Sequence, residues 1–92
     1  MNKQLMKHLD PMWTEDMLIY GFRYCLGRLS YSVAVCIDYL TPLVPYMHVE
    51  SLKLISREIS EYRHFKEDDF TTKDWFKFKE FVDKEIERRN AS

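Results

Sequence analysis

From Leu18 to Leu40, apolar side chains recur at steps of three and four: Leu18, Phe22, Leu26, Leu29, Val33, Cys36 and Leu40, with Cys25 and Ile37 beside them. That step is the period of one face of an α-helix, and the stripe passes through Gly27 without losing register. A second row, Met17, Gly21, Tyr24, Arg28, Tyr31, Val35 and Asp38, is also mostly apolar or aromatic. Between Met17 and Thr41 the only charged residues are Arg23, Arg28 and Asp38. A helix apolar around so much of its circumference is buried centrally or sits in a subunit interface. This stretch points to an all-α fold, a small helical bundle built around one long central helix over residues 14–41.

The start of that helix is marked by Thr14 as a cap, by Glu15 and Asp16 at its positive end, and by Trp13 placed to staple onto Leu18. Asp10-Pro11 is a rival start. Thr41-Pro42 and Pro45 end it, because proline has no amide hydrogen to continue the ladder. Unbroken, the helix is roughly 40 Å long. That is long for a chain of 92 residues, and the sequence leaves open whether the helix kinks or breaks around 27–30.

Two further helices complete the three main ones. Over 49–63, Val49, Leu52, Ile55, Ile59 and Tyr62 line one face, with Lys53, Arg57, Glu58 and Glu61 mostly off it. From Thr71, a capping box to Asp74 and a staple from Phe70 to Trp75 open the last helix, with Trp75, Phe78, Val82 and Ile86 on its buried face and Phe81 beside it. Glu80 with Lys84, and Glu85 with Arg89, are i,i+4 pairs in the favourable orientation. A strand over 75–81 is the rival reading, since aromatic and charged residues alternate there briefly. The acidic turn Glu67-Asp68-Asp69 separates the two helices, and residues 1–9 are a short helix or a frayed end of the single domain, 1–92.

Charge is unevenly spread beneath a net value of -1. Residues 1–45 hold four basic and four acidic side chains, whereas 46–92 hold ten and eleven. A near-neutral total disfavours a dedicated phosphate binder. The basic residues interleaved with Trp75, Phe76 and Phe78 could hold single-stranded nucleic acid, but Asp74, Glu80, Asp83, Glu85 and Glu87 cancel their field. The first residues have neither an apolar core nor a small-residue cleavage site. The best charge-free runs, 29–37 and 39–49, are far short of the roughly 20 residues that span a bilayer. A cytoplasmic protein with no membrane association is expected.

Residue types for catalysis are present, but not in catalytic patterns. His8, His48, His64, Cys25 and Cys36 form none of the metal-ligand spacings, so neither metal nor cofactor is expected. Cys25 and Cys36 fall on the apolar stripe. On one helix they are roughly 16 Å apart, too far to bridge, and read as reduced core thiols. There is no glycine-rich phosphate loop and no nucleophile elbow. The chain is not expected to be an enzyme.

The informative segment is 22–31. Arg23 and Arg28 sit with Tyr24 and Tyr31 in an otherwise apolar helix, and Asp38 is the only carboxylate between Met17 and Thr41. A straight helix puts Asp38 about 15 Å from Arg28, so the two could pair only across a break or between chains. These five residues are either a structural polar network or a partner-binding patch, since arginine and tyrosine are enriched at interface hot spots. The motif Arg23-Tyr24-x-x-Gly27-Arg28-x-x-Tyr31, preceded by Trp13-Thr14-Glu15-Asp16 and followed by Asp38-Tyr39-Leu40, resembles a group of small accessory proteins of phages and prophages of Gram-positive bacteria. The resemblance covers about residues 12–40 and brings no residue roles with it. It implies a protein that binds and inhibits a host protein, such as a defence nuclease. The expectation is therefore a phage-encoded inhibitor or adaptor, with a small nucleic-acid-binding regulator as the alternative. A homodimer is also expected, because a chain this short buries only about 60–65% of its unfolded surface and has little with which to cover so apolar a helix.

Overall fold

The computed structural model describes residues 15–26, 30–63, 65 and 70–91. Four α-helices are present among them, α1 (Glu15–Cys25), α2 (Ser30–Leu40), α3 (Val49–Glu61) and α4 (Phe70–Ala91), with a 3-10 helix (Thr41–Tyr46) directly after α2. No strand occurs among the described residues, so the all-α class holds and the 75–81 segment is helical. None of these helices is long and apolar enough to cross a membrane.

The single helix expected over 14–41 is two. The amide of Leu26 still bonds the carbonyl of Phe22 at 3.1 Å, but Leu26 lies in a turn and a new helix starts at Ser30. The physical reason is coverage. A straight stripe of roughly 40 Å would outrun the rest of the chain, whereas the break lets α1 and α2 pack on one another and bury their apolar sides in one core. Leu18, Ile19 and Phe22 of α1 join Val33 and Leu40 of α2 there, and Cys25, Leu26, Cys36 and Ile37 are half-buried against them. The second row is corrected as well. Its Met17, Tyr24, Val35 and Asp38 are exposed, which makes that side the outer surface.

Thr41 and the prolines end α2 as expected. The Thr41 hydroxyl turns back to donate to the carbonyl of Ile37 at 2.7 Å, a local bond that competes with the backbone ladder. The chain tightens into a 3-10 turn instead of leaving as a loop. Leu43, Val44 and Met47 are buried, so this corner belongs to the core. In α3, Leu52, Ile55 and Ile59 are fully buried, and in α4 so are Trp75 and Val82, with Phe78 nearly so. Phe70 is already helical, which places Thr71 inside the first turn of α4 and not at its cap. The cap and the acidic turn before it lie outside the described residues.

The helices close a circuit: α1 packs on α2, α2 on α4, α4 on α3, and α3 on α1. The chain measures 39 × 32 × 17 Å, and a thickness of 17 Å accommodates two helix layers. Phe22 meets Trp75 edge to face with ring centroids 5.4 Å apart, and Trp75 meets Phe78 at 6.2 Å. The indole Nε1–H of Trp75 has no hydrogen-bond partner in this aromatic centre. An unmade bond of that kind costs about 1–3 kcal/mol, a sum the burial of one large ring can offset.

Two polar clamps fix where the helix ends sit. Glu15, on α1, is buried. Its Oε1 accepts the backbone N–H of His48 at 2.6 Å, and its Oε2 bonds the His48 ring Nδ1. His48 is the N-cap of α3 and makes no side-chain cap bond of its own, so a carboxylate from another helix serves the positive end of α3. Arg89, near the end of α4, reaches across to the 3-10 corner. Its Nη1–H donates to the carbonyl of Met47 at 2.5 Å, and its Nη2–H to those of Pro45 at 2.9 Å and Val44 at 3.2 Å. Glu85 holds its Nε–H at 2.8 Å and also takes two bonds from Arg88.

Replacing Arg89 with Met should strip the corner of its charged donors and cost about 2–3 kcal/mol, read as a lowered urea midpoint with an unchanged slope. Glu85 supplies a second test. Hydrogen bonds from Arg88, above all, hold its carboxyl below the ordinary glutamate range, with burial opposing and Arg89 assisting. A group depressed in the folded state contributes stability that is complete above its unfolded value, about 4.3, and is lost as pH falls through the lower folded value. Unfolding midpoints should therefore fall below about pH 4, and Glu85→Gln should flatten that limb.

Candidate functional site

The face of α1 opposite the core is not charged. Leu18, Ile19, Phe22 and Glu15 point inward, while Met17, Tyr20 and Tyr24, at i, i+3 and i+7, form a narrow strip on the other side. Tyr20 is 76% and Tyr24 61% exposed, the two most exposed large hydrophobic residues among those described. On the neighbouring helix α2, Val35 and Tyr39 are also exposed. Among the described residues, five of the seven exposed large hydrophobic side chains thus lie on α1 and α2, the other two being Phe76 and Phe81 of α4.

Arg23 borders the strip. Its guanidinium crosses to α3, where Glu58 Oε1 accepts from Nε at 2.8 Å and lies 2.7 Å from Nη2. That pairing holds Arg23 above its ordinary pKa, first through the hydrogen bond and then through the opposite charge. Arg23 is therefore a strut between α1 and α3 at the edge of the aromatic surface, half exposed and already satisfied.

Asp38 stands elsewhere, on the wall of a shallow cleft between α2 and α4. The cleft has a volume of about 340 Å³, a floor of Ile37, Phe78 and Phe81, and Asp38, Asp74 and Lys77 around it. Enclosed small-molecule sites start near this size, at roughly 300 Å³, but here the mouth is open and the walls do not surround a ligand. It is better suited to a protruding side chain than to a metabolite.

The five residues expected to act together are thus divided. Arg23 and Tyr24 are on α1, with Arg23 turned toward α3, and Asp38 faces α4. Tyr31 is in the first turn of α2, its side chain outside what is described. Arg28 and its suggested pairing with Asp38 also lie outside the described residues. Tyr20 was not singled out by the sequence reading, although the Met17–Tyr20–Tyr24 spacing was there to find. Lys77 and Phe81 were read as a solvated charge and a core neighbour, and only the packing of α2 on α4 brings them to one cleft with Asp38.

The separation of Cys25 and Cys36 is corrected too. They are on different helices that pack together, both half-buried and free. Burial, and then the neighbouring Cys25, push the Cys36 thiol up to about 12, so at neutral pH it keeps its proton. No group of three His, Cys, Asp or Glu side chains among the described residues could hold a metal ion.

Because Arg23 is exposed and its pair bridges two helices that already share one core, Arg23→Gln should leave the far-ultraviolet dichroism and the thermal midpoint unchanged. A cooperative loss of helix in that variant would make Arg23 a structural residue. Comparison with protein-family models, curated proteins and solved structures finds no match to this chain.

Proposed function

We propose that this chain is a non-enzymatic protein–protein interaction module that presents the outer face of α1 to a partner protein. The observation that carries this reading is the Met17–Tyr20–Tyr24 strip lying directly opposite a fully packed core face. An ordinary surface helix puts charge there. Tyrosine and methionine are enriched in interfaces, and a tyrosine gives large contact area at low entropic cost. Arg23 at the margin adds a rim charge. The resemblance of residues 12–40 to small phage and prophage proteins directs the reading to an inhibitor or adaptor acting on a host protein, a defence nuclease being one such target. A second copy of the chain is the other protein this face can take, as a homodimer.

The alternative, a small nucleic-acid-binding regulator, would draw on the basic residues of α4. There Lys79 is bonded to Asp83, Lys84 lies near Glu80, and Arg88 and Arg89 share Glu85. With four of its six cations matched along the same helix, α4 has little positive charge left to form a stripe.

The test uses wild type and the Tyr20→Ser/Tyr24→Ser double variant. Sedimentation at micromolar concentration reads self-association, and each protein, immobilised, is presented with a host lysate. A partner or self-dimer retained by wild type and weakened at least about ten-fold in the variant, with unchanged dichroism, supports the reading. Equal retention by both removes α1 as the interface. A salt-sensitive mobility shift with DNA or RNA, and no protein partner, favours the alternative.

A further inference from the structure

We propose that the cleft between α2 and α4 is a docking site for an arginine side chain of a partner protein, with the aliphatic stem on the apolar floor and the guanidinium at Asp38 and Asp74. This is a different face from the tyrosine strip of α1, and the proposal shares with the reading above only the premise that the chain binds proteins. The floor is Ile37, Phe78 and Phe81. Phe78 is nearly buried, but Phe81 is 42% exposed, so an apolar ring stands open to whatever enters. Asp38 comes from α2, and Asp74 and Lys77 from α4, which leaves the cleft one negative charge in excess. Among the described residues, none of these three side chains has a hydrogen-bond or ion-pair partner. Further along α4 the charges differ, since Lys79, Lys84, Arg88 and Arg89 all have carboxylates on the same helix.

Unmatched carboxylates over an apolar floor complement a cation carried on an apolar stem. Arginine fits that description better than lysine. Its planar fork of donors can serve carboxylates from two helices at once, its flat face stacks on an aromatic ring such as Phe81, and it gives up its water more readily than an ammonium does. A free metabolite fits less well, because a cleft of about 340 Å³ with an open mouth leaves one side of it in solvent. A partner's own backbone supplies that missing wall. Val35 and Tyr39, four apart on the adjoining row of α2, are exposed and give the partner apolar surface to lie on. The partner therefore presents an arginine flanked by apolar residues. Lys77 opposes its entry, so the charge of Lys77 sets how tightly the arginine is held.

The test selects random dodecapeptides, displayed on phage, against the immobilised full chain and then measures the selected peptides in solution with a fluorescent label. An arginine beside apolar residues should dominate the selection. Replacing that arginine with citrulline, which keeps the shape and loses the charge, should weaken binding at least about ten-fold. The Asp38→Asn/Asp74→Asn double variant should weaken it as much, with unchanged dichroism. Lys77→Gln should instead tighten binding at least about three-fold by removing the opposing charge, a gain that no loss of folding can imitate. Tyr20→Ser/Tyr24→Ser should bind these peptides as wild type does, so the fate of α1 as an interface and the fate of the cleft are read separately. Selection of no peptide, or of peptides without arginine, would overturn the proposal, as would equal binding by wild type and the aspartate double variant. So would a wild-type self-dimer that the aspartate double variant loses on sedimentation, since a second copy would then occupy the cleft.

Discussion

Everything in this fold depends on covering an apolar stripe that is too long for the chain carrying it. From Leu18 to Leu40 the stripe keeps helical register, and a continuous helix would bury it only with help from outside. Turning at Leu26 changes the problem from length to thickness. Each half is eleven residues, about 16 Å. Within such a length, the Leu52–Ile55–Ile59 face of α3 and the Trp75–Phe78–Val82 face of α4 can cover Phe22, Val33 and Leu40 completely. The edge-to-face contact of Phe22 with Trp75 ties the first helix to the last. Much of the stripe is thus covered within one chain, and the outer, tyrosine-bearing side is left exposed.

A two-layered core of this size has little apolar area to spare, so the helix ends are positioned by charge. Glu15 and Arg89 act in complementary ways. A carboxylate from α1 sits at the N-terminus of α3, and a guanidinium from α4 sits on the carbonyls that close the 3-10 corner. In both cases the charge matches the sign of the orphaned backbone groups it meets. In both, the partner is distant in sequence, so these clamps restrict how whole helices are placed and not merely whether one helix forms. Glu85 completes the second clamp by holding the Arg89 side chain in its reaching conformation.

What could be read from the residues divides along the same line. The inward faces were legible, because Leu52, Ile55, Ile59, Trp75, Phe78 and Val82 repeat at the helical period and nothing tertiary overrides it. The end of α2 was legible from Thr41-Pro42, since proline acts through covalent geometry alone. The turn after Cys25 was legible only as an open alternative, because the stripe runs through Gly27 in register and only the demand for coverage breaks it. Nor were the clamps legible: Glu15 and Arg89 look like ordinary end charges on their own helices, and their partners are 33 and 42 or more residues away. The candidate site suffered from the same limit. Grouping Arg23, Tyr24, Arg28, Tyr31 and Asp38 left undecided how two helices would turn them. Once α1 and α2 are separate, Arg23 turns to Glu58 and Asp38 to the cleft beside Lys77.

The division of surfaces is what would let the proposed interaction face be used without cost to the fold. On α4, Lys79 with Asp83, Lys84 with Glu80 and Arg88 with Glu85 are tied to one another along the helix, and such pairs are nearly neutral in energy and tolerant of change. On α1, the exposed groups are large, apolar-bodied side chains whose burial would add binding energy without uncovering any residue of the core. Tyr20 and Tyr24 are on the far side of the helix from Leu18 and Phe22, so the contacts that hold the chain together and those available to another protein do not compete. Arg23, with its charge already matched by Glu58, limits that face without imposing the desolvation cost of an unpaired guanidinium. A helix that buries one face and offers the other needs a rigid support behind it, and the Phe22–Trp75 contact, backed by α3 and α4, supplies it.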